Sequence, residues 1–246
     1  MQALITGASK GLGYYMAKYL SNLGYDLILV ARNTEIINKS DFKTKITMLS
    51  YDLSNIDNCY KLYNKIKNEK IDLIINNAAY GAYGDYKSDF LDKELNMIDL
   101  NIKATHILTK LFINNKNTKH ILNVSSTAGL LKGGPLMSTY YATKSYVCSY
   151  SLSLYEELKR NNSSIHISIL CPGPINTDFN KRMGIDNMNG KNPEKIAKYA
   201  IKKMLKNKLI IIPGIKEKIG LFLTRFIPTK TLLKITYNYQ KTKDRK

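Results

Sequence analysis

The sequence predicts a single doubly wound α/β domain, with a parallel sheet of about seven strands and helices on both faces. Three observations lead there. Short apolar runs alternate with longer stretches of helical spacing as far as about residue 212. The runs are apolar throughout, as strands covered on both faces must be. The segments after the first six runs are small and polar, and these are the turns where a parallel sheet opens its ligand crevice.

Residues 3–5 form the first strand. Residues 11–23 have helical spacing and stop at Gly24, a C-cap residue. Strands follow at 27–30, 46–49 and 71–75. Residues 89–113 read as one long helix, 121–124 as a fifth strand and 139–158 as a second long helix. Strands at 165–170 and 209–212 complete the sheet. No internal repeat, linker or low-complexity stretch interrupts the chain. The last 30 or so residues fall outside the alternation.

Composition excludes other classes. The chain has 246 residues, 44% of them hydrophobic and 10% aromatic, which suits one globular domain and not a disordered chain. Its three cysteines are too few for a disulfide scaffold, and no apolar run nears the roughly 20 residues of a membrane span. Met1-Gln2 leads straight into a strand, with no charged leader region. A soluble, cytoplasmic setting is expected. The net charge of +19 is concentrated: residues 191–246 hold 16 Lys/Arg against 3 acids. A nucleic-acid partner is therefore not expected. The basic tail suits packing or subunit contact, or a weak peripheral contact with an anionic membrane or an acidic protein. His106, His120 and His166 are scattered, so no metal site is expected; His166 reads as a packed strand residue. Cys148 and Cys171 read as small buried apolar residues.

Gly7, Gly11 and Gly13 lie between a strand and a helix. Glycines let the backbone turn sharply and approach a pyrophosphate, and the helix N-terminus supplies N–H groups and partial positive charge. At the end of the second strand a carboxylate would favour NAD, whereas an Arg would favour NADP. Here Arg32 follows Ala31, no acid comes before Glu35, and Lys10 sits in the glycine loop. Two cations without a carboxylate predict NADP(H) over NAD(H).

Tyr140 and Lys144 are four residues apart on a predicted helix and share a face. The spacing alone is weak, because the chain has eight Tyr-x-x-x-Lys pairs. Only the Tyr140 pair follows a strand and a Ser-Ser-Thr-Ala-Gly turn at 125–129. A free phenol, with a pKa of roughly 10, is a poor acid–base group at neutral pH. A cation about 4 Å away is worth on the order of 4 kcal/mol at an effective dielectric near 20. That would lower the phenol by about two to three pH units.

With these landmarks in order over residues 1 to about 180, the chain resembles the short-chain dehydrogenase/reductase family, in its subgroup with Thr-Gly-x-x-x-Gly-x-Gly. The resemblance implies a Rossmann-type domain over 1–214, with a substrate lid at about 178–192 and a basic, partly apolar extension over 215–246. It implies that Gly7, Ser9, Gly11 and Leu12 line the phosphate site, Asp52 and Leu53 hold the adenine, and Asn77 and Ala78 border the adenosine. Ser126 would polarise the substrate carbonyl, with Ser125 and Thr127 as alternatives because the gap to Tyr140 is one residue longer than the family's commonest spacing. Tyr140 would be the acid/base, and Lys144 would tune it and bind the nicotinamide ribose. Asn101 would hold a relay water. Pro172, Gly173, Ile175 and Thr177 would fix the nicotinamide. Ala79 stands where the family usually has Gly.

In the lid, Gly184 and Gly190 are candidate hinges, and Met183 and Met188 would face an apolar substrate. Tyr80, Tyr83, Leu136 and Met137 would fall near the pocket by the same resemblance. The expected activity is an NADP(H)-dependent carbonyl reductase or alcohol dehydrogenase for an apolar ketone or 3-oxoacyl-type substrate, acting as a homodimer or homotetramer. The alternative is an NADP(H)-binding sensor or scaffold without turnover.

Overall fold

β1 (Gln2–Thr6) lies in the middle of the sheet, and its residues alternate between two apolar layers. Ala3 and Ile5 point into one layer and Leu4 into the other, as the two-residue period of a strand requires. The computed structural model describes residues 1–183, 185 and 190–243. The other strands are β2 (Asp26–Ala31), β3 (Ile46–Ser50), β4 (Leu73–Asn76), β5 (His120–Val124), β6 (His166–Leu170) and β7 (Ile210–Ile211). Their order is β3-β2-β1-β4-β5-β6-β7, and every pair is parallel. This is the predicted seven-stranded parallel sheet, with the chain reversing its direction of winding at β1/β4.

One layer holds α1 (Gly11–Asn22) against the later helix α7 (Pro193–Met204). The other holds α2 (Ile56–Ile66), α4 (Thr105–Ile113) and the long α5 (Ser138–Arg160). Two of these helices were missed in the sequence. Their starts are nonetheless marked: Asn55 accepts from the Asp57 N–H, and Asn192 accepts from the Lys195 N–H just before Pro193. His166 is a correction. It is exposed at the first position of β6, where its ring stacks on His120 at 5.6 Å.

The helix expected over 89–113 is divided. α3 (Leu91–Ile98) runs into a π-helical turn, Asp99–Ala104, before α4 begins. The wider turn carries Asn101 into the interior, and such bulges often accompany functional sites.

A buried polar network joins the layers. Asn76 Nδ2 donates to Thr109 Oγ1 (3.0 Å) and to Asn123 Oδ1 (2.9 Å), and Asn123 Nδ2 donates to Ser151 Oγ (2.9 Å). It ties β4 and β5 to α4 and α5 with no solvent contact.

At the opposite end of the sheet the Asp72 carboxylate accepts from Lys119 (3.0 Å) and from the Gln2 N–H (3.0 Å). Burial by itself would raise this carboxyl, but those two bonds hold it below its ordinary value. A carboxylate lowered in the folded state contributes stability above its unfolded pKa of about 3.9 and loses it as pH falls through the folded value. Asp72→Asn should therefore cost about 1–2 kcal/mol at pH 7. The gap to wild type should close below about pH 4 in urea melts. A gap independent of pH would contradict this assignment.

The tail forms α8 (Ile215–Leu223) and α9 (Thr229–Lys241). Leu232, Thr236 and Gln240 make a buried stripe that seats α9 on the domain. Among the described residues, no helix is long and apolar enough to cross a membrane.

Candidate active site

The turn after β1 is shaped by its neighbour β4. Thr6 Oγ1 accepts from the N–H groups of Asn77 (2.9 Å) and Ala78 (3.0 Å), while Asn77 Nδ2 donates back to the carbonyls of Thr6 (3.0 Å) and Gly7 (3.2 Å). Asn77 is therefore first a brace between two loops. Gly7 has φ +66°, and a β-carbon there would come within 2.9 Å of Ala78 Cα. A β-carbon on Gly13 would overlap the Gly7 carbonyl oxygen, so α1 crosses the loop at backbone contact distance. Lys10 precedes α1 in extended conformation without a side-chain cap, and the first turn has no acid. That helix end opens on the cleft, where an anionic group would meet its amides.

Next along the carboxyl edge, Arg32 is exposed at the rim beyond β2, and Asp52 and Leu53 follow β3. Asp52 Oδ1 is held by the Ser54 N–H (3.0 Å) and hydroxyl (2.7 Å). Lys10 forms an exposed ion pair with Asp178 at 3.4 Å, at the start of α6 (Asp178–Arg182), which leaves Arg32 as the cation of the β2 end.

Tyr140 and Lys144 lie on the first turns of α5, 9% and 3% exposed. The Tyr140 phenol lies beside the Ser126 hydroxyl, which donates to the Pro172 carbonyl at 3.4 Å. Ser126 also accepts from the Ala128 N–H (3.1 Å), which caps the 3₁₀ turn Thr127–Leu130 and fixes its side chain. Ser125 points elsewhere, donating to the Lys144 carbonyl at 2.8 Å. Burial pushes the Tyr140 phenol up to about 12, although the Ser126 hydroxyl works against it. This reverses the direction predicted from spacing. Lys144 Nζ donates to the Val124 carbonyl at 3.0 Å and sits 5.9 Å from the Tyr140 ring centroid. Burial brings this ammonium down to about 8.

Asn101 is 1% exposed and lies behind the cleft wall. Its side chain holds the Tyr80 backbone through both N–H (3.1 Å) and carbonyl (2.9 Å), and it donates to Thr143 Oγ1 at 3.1 Å. Thr143 is one turn along α5 from Tyr140, so Asn101 fixes the height of that helix.

These elements border one cleft of about 760 Å³. Gly7, Ser9, Lys10, Gly11, Leu12, Arg32, Asp52, Leu53, Asn77 and Ala78 line its first half. Ser126, Tyr140, Lys144, Pro172, Gly173, Ile175 and Thr177 line its middle. The far half is apolar, with Leu131, Met137, Phe179 and Met183. Tyr80 and Tyr83 pack behind it, and Leu136 borders a small neighbouring depression. Gly184 and Met188 lie outside the described residues. Gly190 is not a hinge: a β-carbon there would strike the Ile175–Asn176 backbone, to which the returning segment is bonded through Asn176 N–H and the Lys191 carbonyl (2.9 Å).

Two features escaped sequence reasoning. Thr236, Tyr239, Gln240 and Lys243 of the tail wall the cleft; their apolar and polar spacing signalled a helix but not its destination. Cys148 and Cys171 are the small buried core residues expected, and they also hydrogen-bond to each other and to Ser125. Their sulfurs lie 3.7 Å apart, and Cys148 donates to Ser125 Oγ at 3.1 Å, directly beneath Lys144. Among the described residues, no group of three or more His, Cys, Asp or Glu could hold a metal.

A family model described as short chain dehydrogenase matches residues 1–187. The chain belongs to the short-chain dehydrogenase/reductase family. An uncharacterized oxidoreductase of Schizosaccharomyces pombe is 30% identical over 182 residues, covering 72% of this chain and 61% of that protein. A 3-oxoacyl-[acyl-carrier-protein] reductase of Rickettsia bellii is 31% identical over 191 residues, covering 74% and 75%. Among solved structures, a Sphingobium yanoikuyae short-chain dehydrogenase in complex with NADPH superposes with a TM-score of 0.79 at 24% identity, covering 92% of this chain and 96% of that one. A Burkholderia phymatum short-chain dehydrogenase/reductase in complex with NAD gives 0.80 at 21% identity, covering 90% and 92%. Membership makes the chain an oxidoreductase of the NAD(P)-dependent short-chain class. The cleft suits such a dinucleotide on its own terms, because its glycine loop approaches to backbone contact and its uncapped helix end faces inward.

Proposed function

We propose that this family member is an NADP(H)-dependent reductase of an apolar ketone or 3-oxoacyl-type carbonyl, running in reverse as an alcohol dehydrogenase. The observation that carries it is the placement of Ser126 beside the buried Tyr140 phenol, where the glycine-lined half of the cleft meets its apolar half. When bound, the nicotinamide supplies or accepts the hydride. Ser126, fixed by its own cap, orients the carbonyl oxygen. The Tyr140 phenol is protonated at neutral pH and donates its proton to that oxygen as negative charge develops there. Lys144, anchored on Val124, places its charge on the ribose side and lowers the cost of leaving a phenolate. Asn101 holds α5 and the π turn in register, and a water beside it would return the proton from bulk. Leu131, Met137 and Met183 exclude water from the reacting carbonyl. We extend the reading to a homodimer or homotetramer, which the exposed Tyr146 and Leu152 of α5 support.

Selectivity for NADPH rests on Arg32, because the β2 end carries no carboxylate and Lys10 is engaged by Asp178. A charge-assisted bond to the 2′-phosphate is worth about 1.5–3 kcal/mol. NADPH should therefore bind about 10- to 100-fold tighter than NADH, and Arg32→Ala should erase most of that ratio. Titration of both cofactors against both proteins checks it. Equal binding by wild type, or an unchanged ratio in the variant, would remove Arg32 from the assignment and leave the fold untouched.

A further inference from the structure

α9 brings a polar group to the otherwise apolar end of the cleft. Gln240, 1% exposed, donates through Nε2 to the Tyr141 hydroxyl (2.6 Å), and its backbone carbonyl accepts from the Tyr83 hydroxyl (3.1 Å). These bonds lock the end of the helix against the residue next to Tyr140. Gln240 Oε1 in turn accepts from Lys243 Nζ at 2.7 Å, and the same ammonium lies 4.6 Å from the centroid of the Tyr239 ring. Both Tyr239 and Lys243 line the cleft, so a second Tyr-x-x-x-Lys pair of this chain borders the same cavity as the first.

The environment of Lys243 is unusual for a lysine. No carboxylate pairs with it among the described residues. The acids that line the cleft are Asp52, held by Ser54, and Asp178, at the start of α6 and held by Lys10 of the glycine loop. Arg182, at the end of α6, lines the cleft as well and adds charge of the same sign. An ammonium has three donors, and Gln240 uses one. Burial already drives this lysine down to about 8, so its charged form gains from any anion that enters. A partly buried cation with free donors, held in place by a buried amide and facing an apolar chamber, is a recognition point for the charged end of an amphipathic molecule.

We infer that Lys243 is a specificity-determining residue that selects carbonyl substrates bearing a carboxylate at the end remote from the reacting carbon. The substrate class is thus an oxo acid with an apolar body: the carbonyl sits at Ser126 and Tyr140, the hydrocarbon against Leu131 and Met183, and the carboxylate at Lys243. This deepens the reductase reading and rests on it.

The test pairs octanoate with octanamide, which have the same chain and differ in charge. Calorimetry in the presence of NADPH measures both against wild type, Lys243→Gln and Lys243→Arg. The expected result is octanoate at least 10-fold tighter than octanamide in wild type, a ratio near one in Lys243→Gln, and recovery in Lys243→Arg. Octanamide affinity should be the same in all three, which a merely structural role for Lys243 would not give. Octanoate binding no tighter than octanamide in wild type overturns the inference, whether or not the variants fold. So does a Lys243→Gln ratio equal to that of wild type. Turnover of a neutral ketone is followed separately. Its absence alongside Lys243-dependent octanoate binding would sink the reductase reading and leave the anion site standing.

Discussion

Tyr140→Phe should lower the turnover of any carbonyl substrate by about 10²- to 10⁴-fold, the usual contribution of a positioned general acid. Cofactor binding and stability should hardly change. The ring keeps its packing, and Ser126 retains its contacts with the Ala128 N–H and the Pro172 carbonyl. The pH profile should separate the two members of the pair. A phenol at about 12 stays protonated throughout the working range and imposes no loss of its own. An ammonium at about 8 is charged below that value and neutral above it, so reduction should decline as pH rises through about 8. Lys144→Arg, if it retains turnover, should move that decline beyond the range. A profile flat to pH 10 would show that Lys144 charge is not needed, and full activity in Tyr140→Phe would remove the phenol from the proton path.

The largest effect on stability is expected at Asn123, far from any surface. Its Oδ1 accepts from Asn76 and Thr109, and its Nδ2 donates to Ser151. Asn123→Ala would take a partner from groups on three elements at once, each costing about 1–3 kcal/mol when left unsatisfied. With partial relaxation the loss should be about 3 kcal/mol, a large part of the roughly 5–15 kcal/mol that separates folded from unfolded domains. The urea midpoint should fall with an unchanged slope. Removing the network together, by adding Asn76→Ala and Thr109→Ala, should cost less than the sum of the three single changes. A drop under 1 kcal/mol for Asn123→Ala would mean that water or rearrangement satisfies the orphaned groups.

The sheet and the lining of the cleft were legible in the sequence because strand alternation and the residues after each strand are local signals. Six apolar runs followed by small polar turns already place the glycine loop, Asp52, Asn77, Ser126 and Pro172 along one edge. What could not be read depends on contacts between distant segments. The π turn around Asn101 exists because its side chain reaches Tyr80 and Thr143. Lys10 shows its pairing only once Asp178 is beside it, some 168 residues away in the chain. The rise in the Tyr140 phenol reflects a burial that no i, i+4 spacing contains. α9 finds the cleft through Gln240 and Tyr141, a pair separated by 99 positions. Missing α2 and α7 was of another kind, since their Asn caps and their apolar periodicity were both visible and only their low overall apolar content hid them.

The all-parallel strand order has a kinetic consequence. No two neighbouring strands are joined by a hairpin; Gln2 must find Asp26, and Ala3 must then find Leu73, each across a helical crossover. The first three strands can assemble among themselves, yet β1 then presents an unpaired edge until β4 arrives on its other side. Growth from that edge outward to β7 proceeds one crossover at a time, and such non-local pairing is slow. Refolding from denaturant should therefore be multiphasic, with yield falling as concentration rises, because the half-built sheet offers its open edge to other copies of itself.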